Sequence, residues 1–142
     1  MTVLDAYAVV AYLRGEPVAD DVADILREET VLSAANAAEV IDQLVRVHGG
    51  DADDVHGDLA LLTHAGMRIA PVTAEIGMSA GRIRARHYHR SAMAVSLADC
   101  TAAATALDLD QPLATSDPAL AAVTRAAGGR IRGLADSRGN LP

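Results

Sequence analysis

A short apolar run, Thr2-Val3-Leu4, ends on an acid, Asp5, and passes without a linker into the apolar-periodic segment Ala6 to Leu13. A strand that turns directly into a helix is the opening half of a parallel β-α-β unit, and in sheets built from such units ligands sit beyond the carboxyl ends of the strands. Asp5 is thereby placed at a mouth. Capping of the following helix accounts for an Asp here equally well, so the reading turns on whether further acids recur at equivalent places. Three do: Glu39, Asp99 and Asp117.

The alternation continues along the chain. Gly15-Glu16-Pro17 is a turn, and Val18 to Glu29 carries a helical stripe of Val18, Val22, Ile25 and Leu26. Thr30 to Ser33 is a second strand, and Ala35 to His48 a helix that Ser33 or Asn36 can cap and Gly49-Gly50 can stop. A helix over Asp51 to His64, a strand over Met67 to Pro71 and a helix begun by Thr73 follow. Gly77 and Gly81 weaken that last helix. Ser96 to Leu107 is an Ala-rich helix, Gln111 to Thr115 a strand, Asp117 to about Ala127 a helix, and Arg130 to Leu134 an edge strand. Strands alternating with helices through short links predict an α/β fold, a three-layer α/β/α sandwich around a parallel sheet of four or five strands. Residues 1–136 read as one domain and 137–142 as a flexible tail.

A chain of 142 residues can bury about two-thirds of its unfolded surface without cross-links. With no Phe or Trp, its core is aliphatic, and stacking on aromatic rings is a poor candidate for nucleic-acid binding. One cysteine, Cys100, excludes an internal disulfide, disfavours a thiolate zinc site and fits a reducing compartment. It reads as a packed core thiol. There is no positively charged leader with an apolar run, and no window of roughly 18 apolar residues, so a soluble cytoplasmic protein is expected.

The four acids stand among apolar neighbours, which predicts partial burial. An isolated buried carboxylate loses several kcal/mol of solvation, and gathering several adds repulsion of about 1–4 kcal/mol per close pair. A cation removes that penalty. Hard oxygen donors without His or Cys partners suit Mg²⁺ or Mn²⁺. Asp5 and Asp117 lie just past strand ends, and Glu39 and Asp99 are expected in the first turns of their helices, where the helix dipole favours anions. The remaining acids cluster in polar surroundings and read as solvated helix faces.

At net charge −7 the chain repels polyanions. Its twelve basic side chains are all Arg, however, with four inside Arg82 to Arg90. If that segment is helical, Arg82, Arg86 and His89 or Arg90 share a face. Three readings of the stripe stand side by side: a track for RNA phosphates, a solvated face, and a contact for a partner protein. His87 and His89 are not at metal-ligand spacing with any acid.

On these residues the chain resembles the PIN domain family, and more narrowly the VapC toxins of bacterial toxin–antitoxin pairs. Val3-Leu4-Asp5-Ala6-Tyr7-Ala8 is similar to the family's opening, Ser33 with Glu39 to its second motif, Leu97-Ala98-Asp99-Cys100 to its third, and Leu113-Ala114-Thr115-Ser116-Asp117 to its fourth. Each motif is weak alone; four in order are specific. Tyr7 departs from the pattern, since many relatives carry a small hydroxyl residue there, and Thr115 could supply a hydroxyl instead. The resemblance implies an endoribonuclease dependent on Mg²⁺ or Mn²⁺. Asp5, Asp99 and Asp117 would hold metal directly or through water, Glu39 would bind a second metal or orient the attacking water, and Thr115 would support them. It also implies a VapB-like antitoxin and a homodimer. The segments Ala6 to Leu13 and Val18 to Leu26 could form part of the antitoxin groove or pack internally.

Other classes fit less well. A phospho-receiver module needs a Lys at its last strand, and this chain has none. A dehalogenase-type phosphatase wants a second Asp where Tyr7 stands. A catalytically silent PIN-like module that only binds RNA or protein is the alternative, and it would normally have lost one of the acids.

Overall fold

The three central strands are short β-branched or aliphatic runs cut off by a polar residue or a turn, while the outer strands, Met67–Ala70 and Ile131–Gly133, each carry an Arg. The computed structural model describes residues 1–142. In chain order the elements are β1 (Thr2–Leu4), α1 (Ala6–Leu13), α2 (Ala19–Leu26), β2 (Thr30–Ser33), α3 (Ala34–Asp42) running on into a π-helical turn (Gln43–Val47), α4 (Ala52–His64), β3 (Met67–Ala70), α5 (Ala74–His87), α6 (Leu97–Asp108), β4 (Leu113–Thr115), α7 (Pro118–Ala126) and β5 (Ile131–Gly133). The sheet runs β3-β2-β1-β4-β5 with every pair parallel.

Alternation along the strands splits the core in two. Leu4, Leu32 and Ala114 face α1 to α4, while Val3, Val31 and Leu113 face α5 to α7. This is the expected three-layer sandwich. Helix α6 is buried throughout Cys100 to Ala106, and its small side chains let it pack closely against β1, β2, α3 and α5. Close approach of backbones is what an aliphatic, Ala-rich core permits, and it carries the start of α6 to the middle of the sheet's edge.

Several boundaries differ from expectation for local reasons. The Val18 to Glu29 helix is confined to Ala19–Leu26. The strand expected from Gln111 begins at Leu113, because Gln111 N–H closes the end of α6 on the Ala106 carbonyl and Pro112 has no N–H to give. The helix expected over Ala35 to His48 loses α geometry at Gln43, and Gly49 at φ 72° ends it. Helix α5 stops at His87; His89 Nδ1 accepts the backbone N–H groups of Ser91 and Ala92 instead. Arg82 and Arg86 therefore share a helix, and Arg90 lies beyond its end. The last residues turn on Asp136, whose carboxylate accepts the N–H groups of Arg138 and Asn140, and Pro142 comes to rest beside Gly133.

Candidate active site

Strand β1 connects onward to β2 on one side, while β4 pairs with it on the other. The carboxyl ends of β1 and β4 thus flank the point where the sheet's winding reverses, the crevice in which open α/β sheets bind ligands. A cleft of about 270 Å³ opens there, lined by Asp5, Tyr7, Val10, Glu39, Gln43, Ser96, Asp99 and Asp117 among others. All four acids singled out in the sequence border it.

Each acid is delivered by a different element. Asp5 follows β1, caps α1 by accepting from Ala8 N–H at 2.8 Å, and accepts a second, short hydrogen bond from the Thr115 hydroxyl. Asp117 caps α7 by accepting from Ala119 N–H at 2.7 Å and Leu120 N–H at 3.2 Å. Its own N–H donates to Thr115 Oγ1 at 3.0 Å, so one hydroxyl ties Asp5 to Asp117. Asp99 completes a reciprocal cap with Ser96: its N–H donates to Ser96 Oγ at 3.0 Å, and its Oδ2 accepts from Ser96 N–H at 2.7 Å. Glu39 is the sixth residue of α3, not in the first turn as expected, so the helix dipole does little for it.

Burial and mutual charge shape the cleft. Asp5 is only 4% exposed, and burial pushes its carboxyl from the ordinary 3.8 up to about 7, with Asp99 and Asp117 adding to the rise against the lowering bonds from Thr115 and Ala8. Glu39, half-buried, is also raised, first by burial and then by Asp99. Cys100 is fully buried, and burial ahead of the charge on Asp99 pushes its thiol up to about 11. That is an unreactive core thiol.

No three acidic, histidine or cysteine side chains are drawn together closely enough to hold an ion unaided. The carboxylates are instead partly engaged as caps, and Glu39 Oε1, Asp99 Oδ1 and Asp117 Oδ2 take no hydrogen bond. Those are hard oxygens around a cleft with room for water. Such a set fits Mg²⁺ or Mn²⁺, which is bound through one or two carboxylates and keeps much of its water.

The family model of the PIN domain matches residues 2–126. The chain belongs to the PIN domain family. Solved structures of similar fold include FitAcB from Neisseria gonorrhoeae, 23% identical, with 92% of this chain and 96% of that chain covered at a TM-score of 0.65. VapC20 of Mycobacterium tuberculosis, a Sarcin-Ricin loop cleaving toxin, is 19% identical with 86% and 94% covered at 0.67. VapBC2 from Rickettsia felis, bound to a promoter DNA fragment, is 13% identical with 94% and 98% covered at 0.68. No curated protein matches the chain.

Within this PIN domain, Arg82, Arg86 and Arg90 are exposed and none lines the cleft. The fourth arginine of that run, Arg84, lies over the Tyr88 ring, 4.3 Å from its centroid, and donates through Nε to the Val95 carbonyl at 3.1 Å. Tyr7 hangs at the mouth, its hydroxyl 3.4 Å from Glu16. Four residues around the acids escaped the site reading. Gln43 stands four residues after Glu39 and so on its face; Ser96 with Asp99 spells a capping box. Asn36 falls three before Glu39. Tyr7, a departure from the family's opening motif in sequence, lines the cleft.

Proposed function

We propose that this PIN domain is a metal-dependent endoribonuclease and the toxin of a toxin–antitoxin pair. The observation that carries the reading is the convergence of Asp5, Glu39, Asp99 and Asp117 on one cleft at the sheet's reversal point. Chains that only bind RNA or protein have no need of four acids gathered at one cleft, where burial first and neighbouring acids second raise Asp5 and Glu39.

Asp5, Asp99 and Asp117 would hold Mg²⁺ or Mn²⁺ directly or through water, and Glu39 would bind a second ion or orient the water that attacks. When bound, the ion lowers the pKa of a coordinated water and offsets charge developing on the phosphate. The chain's own part is orientation. Thr115 fixes Asp5 against Asp117, and the caps of α1, α6 and α7 set the direction from which each carboxylate enters the cleft. A cleft whose charged side chains are all acids repels a phosphodiester until a cation is present, which makes the reaction conditional on metal. In-line displacement would leave a 5′-phosphate and a 3′-hydroxyl, the products expected from the family.

Arg82, Arg86 and Arg90 are proposed to guide RNA backbone toward the cleft. A neighbour that is a toxin–antitoxin complex from Klebsiella pneumoniae, together with FitAB and VapBC-1, supports a VapB-like antitoxin as partner, and a cytoplasmic homodimer fits the same picture. No helix is long and apolar enough to cross a membrane.

Incubating the purified protein with structured RNA in Mg²⁺, in Mn²⁺ and in EDTA tests the proposal. Cleavage with either ion, its absence in EDTA, and its loss in Asp99→Asn with an unchanged circular dichroism spectrum are expected. Undiminished cleavage by Asp99→Asn, or cleavage in EDTA, would refute it.

A further inference from the structure

Asn36 is a polar side chain with no exposure, and the proposed chemistry does not use it. It sits in the first turn of α3, three residues after Ser33 and three before Glu39. Its amide joins three segments. Ser33 Oγ donates to Oδ1 at 2.5 Å, while Nδ2 donates to Glu39 Oε2 at 3.5 Å and to the Ala98 carbonyl at 3.3 Å. The amide can stand only one way round, because its NH₂ faces two acceptors and its oxygen a hydroxyl.

Capping does not require this arrangement. Ser33 caps α3 through the backbone N–H of residue 36, which any residue other than Pro would supply. Core filling does not require it either, since an aliphatic side chain fills space without desolvating an amide. What the amide does is span two layers. Helix α3 packs on the face of α1 to α4 and α6 on the opposite face, and Asn36 links them where Ala98 hands the chain to Asp99.

We propose that Asn36 is a positioning residue whose amide holds Glu39 and the Ala98–Asp99 backbone in fixed relation, so that the two carboxylates are held at a set separation for binding a divalent cation in the cleft. The inference rests on the metal-dependent reading of the cleft. Tying Oε2 of Glu39 leaves Oε1 without a protein partner, and the repulsion between Glu39 and Asp99 is then held at a set separation instead of being relieved by the side chains turning apart. Loss of a group that orients a metal ligand typically weakens affinity roughly 10–100-fold.

The test titrates Mn²⁺ calorimetrically into the ion-free full chain for wild type, Asn36→Ala, Asn36→Ser, Glu39→Gln and the double variant Asn36→Ala/Glu39→Gln. Thermal melts in EDTA report folding, and the Mn²⁺ concentration for half-maximal RNA cleavage is measured alongside. Both Asn36 variants should fold in EDTA yet bind Mn²⁺ roughly 10–100-fold more weakly. Half-maximal cleavage should move to correspondingly higher Mn²⁺, while the rate at saturating Mn²⁺ falls much less. In the Glu39→Gln background the Asn36→Ala effect should shrink, because both act on one ligand. Affinity within about twofold of wild type, or effects that simply add, would overturn the proposal. So would failure of both variants to fold, which would make Asn36 a strut of the fold. A wild type that binds no Mn²⁺ overturns the reading of the cleft and this role together, whereas normal binding by wild type and both variants overturns the role alone.

Discussion

Asp5 is the most deeply buried of the four acids in the cleft. Its carboxyl is raised from 3.8 to about 7, chiefly by burial, so below that value the native state keeps a proton that the unfolded chain has released. A raised folded value means stabilisation that is fully present below pH 3.8 and lost as pH climbs through about 7. The size is at most ~4 kcal/mol. Denaturant unfolding of ion-free protein should therefore give lower stability at pH 8 than at pH 5, and Asp5→Asn should flatten that slope and gain stability at pH 8 while abolishing metal-dependent cleavage. An identical slope in the variant would place the pH dependence elsewhere. Thr115 works on the same carboxylate, donating to Asp5 while accepting from Asp117 N–H. Thr115→Val leaves both groups short of a partner, so a loss of about 1–3 kcal/mol is expected in denaturant unfolding at pH 8, together with slower cleavage; unchanged stability would mean water replaces the hydroxyl.

At the level of elements, helix α5 shows propensity overridden by packing. Gly77 and Gly81 weaken it, yet it spans Ala74–His87 because Ile76, Ala80 and Ile83 bury one side against α6. A Cβ at Gly81 would meet nothing within 4 Å, so Gly81→Ala should raise stability by about 0.5–1 kcal/mol in thermal or denaturant unfolding, with cleavage unchanged; a loss would show that the open space is needed. The sheet was readable from the chain because Thr2 to Leu4, Thr30 to Ser33 and Met67 to Ala70 are short segments rich in apolar or β-branched residues, bounded by turns and caps. Asp5 and Asp117 could be placed because each lies within two residues of a strand end and caps the helix that follows. Glu39 falls in the second turn whether its helix begins at Ala35, as expected, or at Ala34, as found, so the helix start alone does not put it at the dipole's positive end. Whether the arginine face runs on to His89 or Arg90 depends on the segment staying helical, and nothing in the spacing of arginines reveals that His89 folds the chain back on Met93. Asn36 was legible only as a possible cap, since its partner Ala98 is 62 residues away and no local pattern records that pairing.

The whole molecule concentrates four distant acids at one place by topology. Strand β1 is central, β2 and β4 flank it in parallel, and α3 and α6 approach the same edge from opposite layers. The resulting cleft is negative in a protein whose net charge is already −7, an arrangement that disfavours RNA unless a cation intervenes. Family membership accounts for the fold and makes the cleft the place to look. Locating Mn²⁺ by its anomalous scattering in crystals of the full chain examines the central proposal most directly. A peak inside the cleft, bonded to one or more of Asp5, Glu39, Asp99 and Asp117 and absent from Asp99→Asn crystals, is the expected result. Mn²⁺ found only at the surface acids of α2 and α4, or a cleft holding water alone at saturating Mn²⁺, would contradict it.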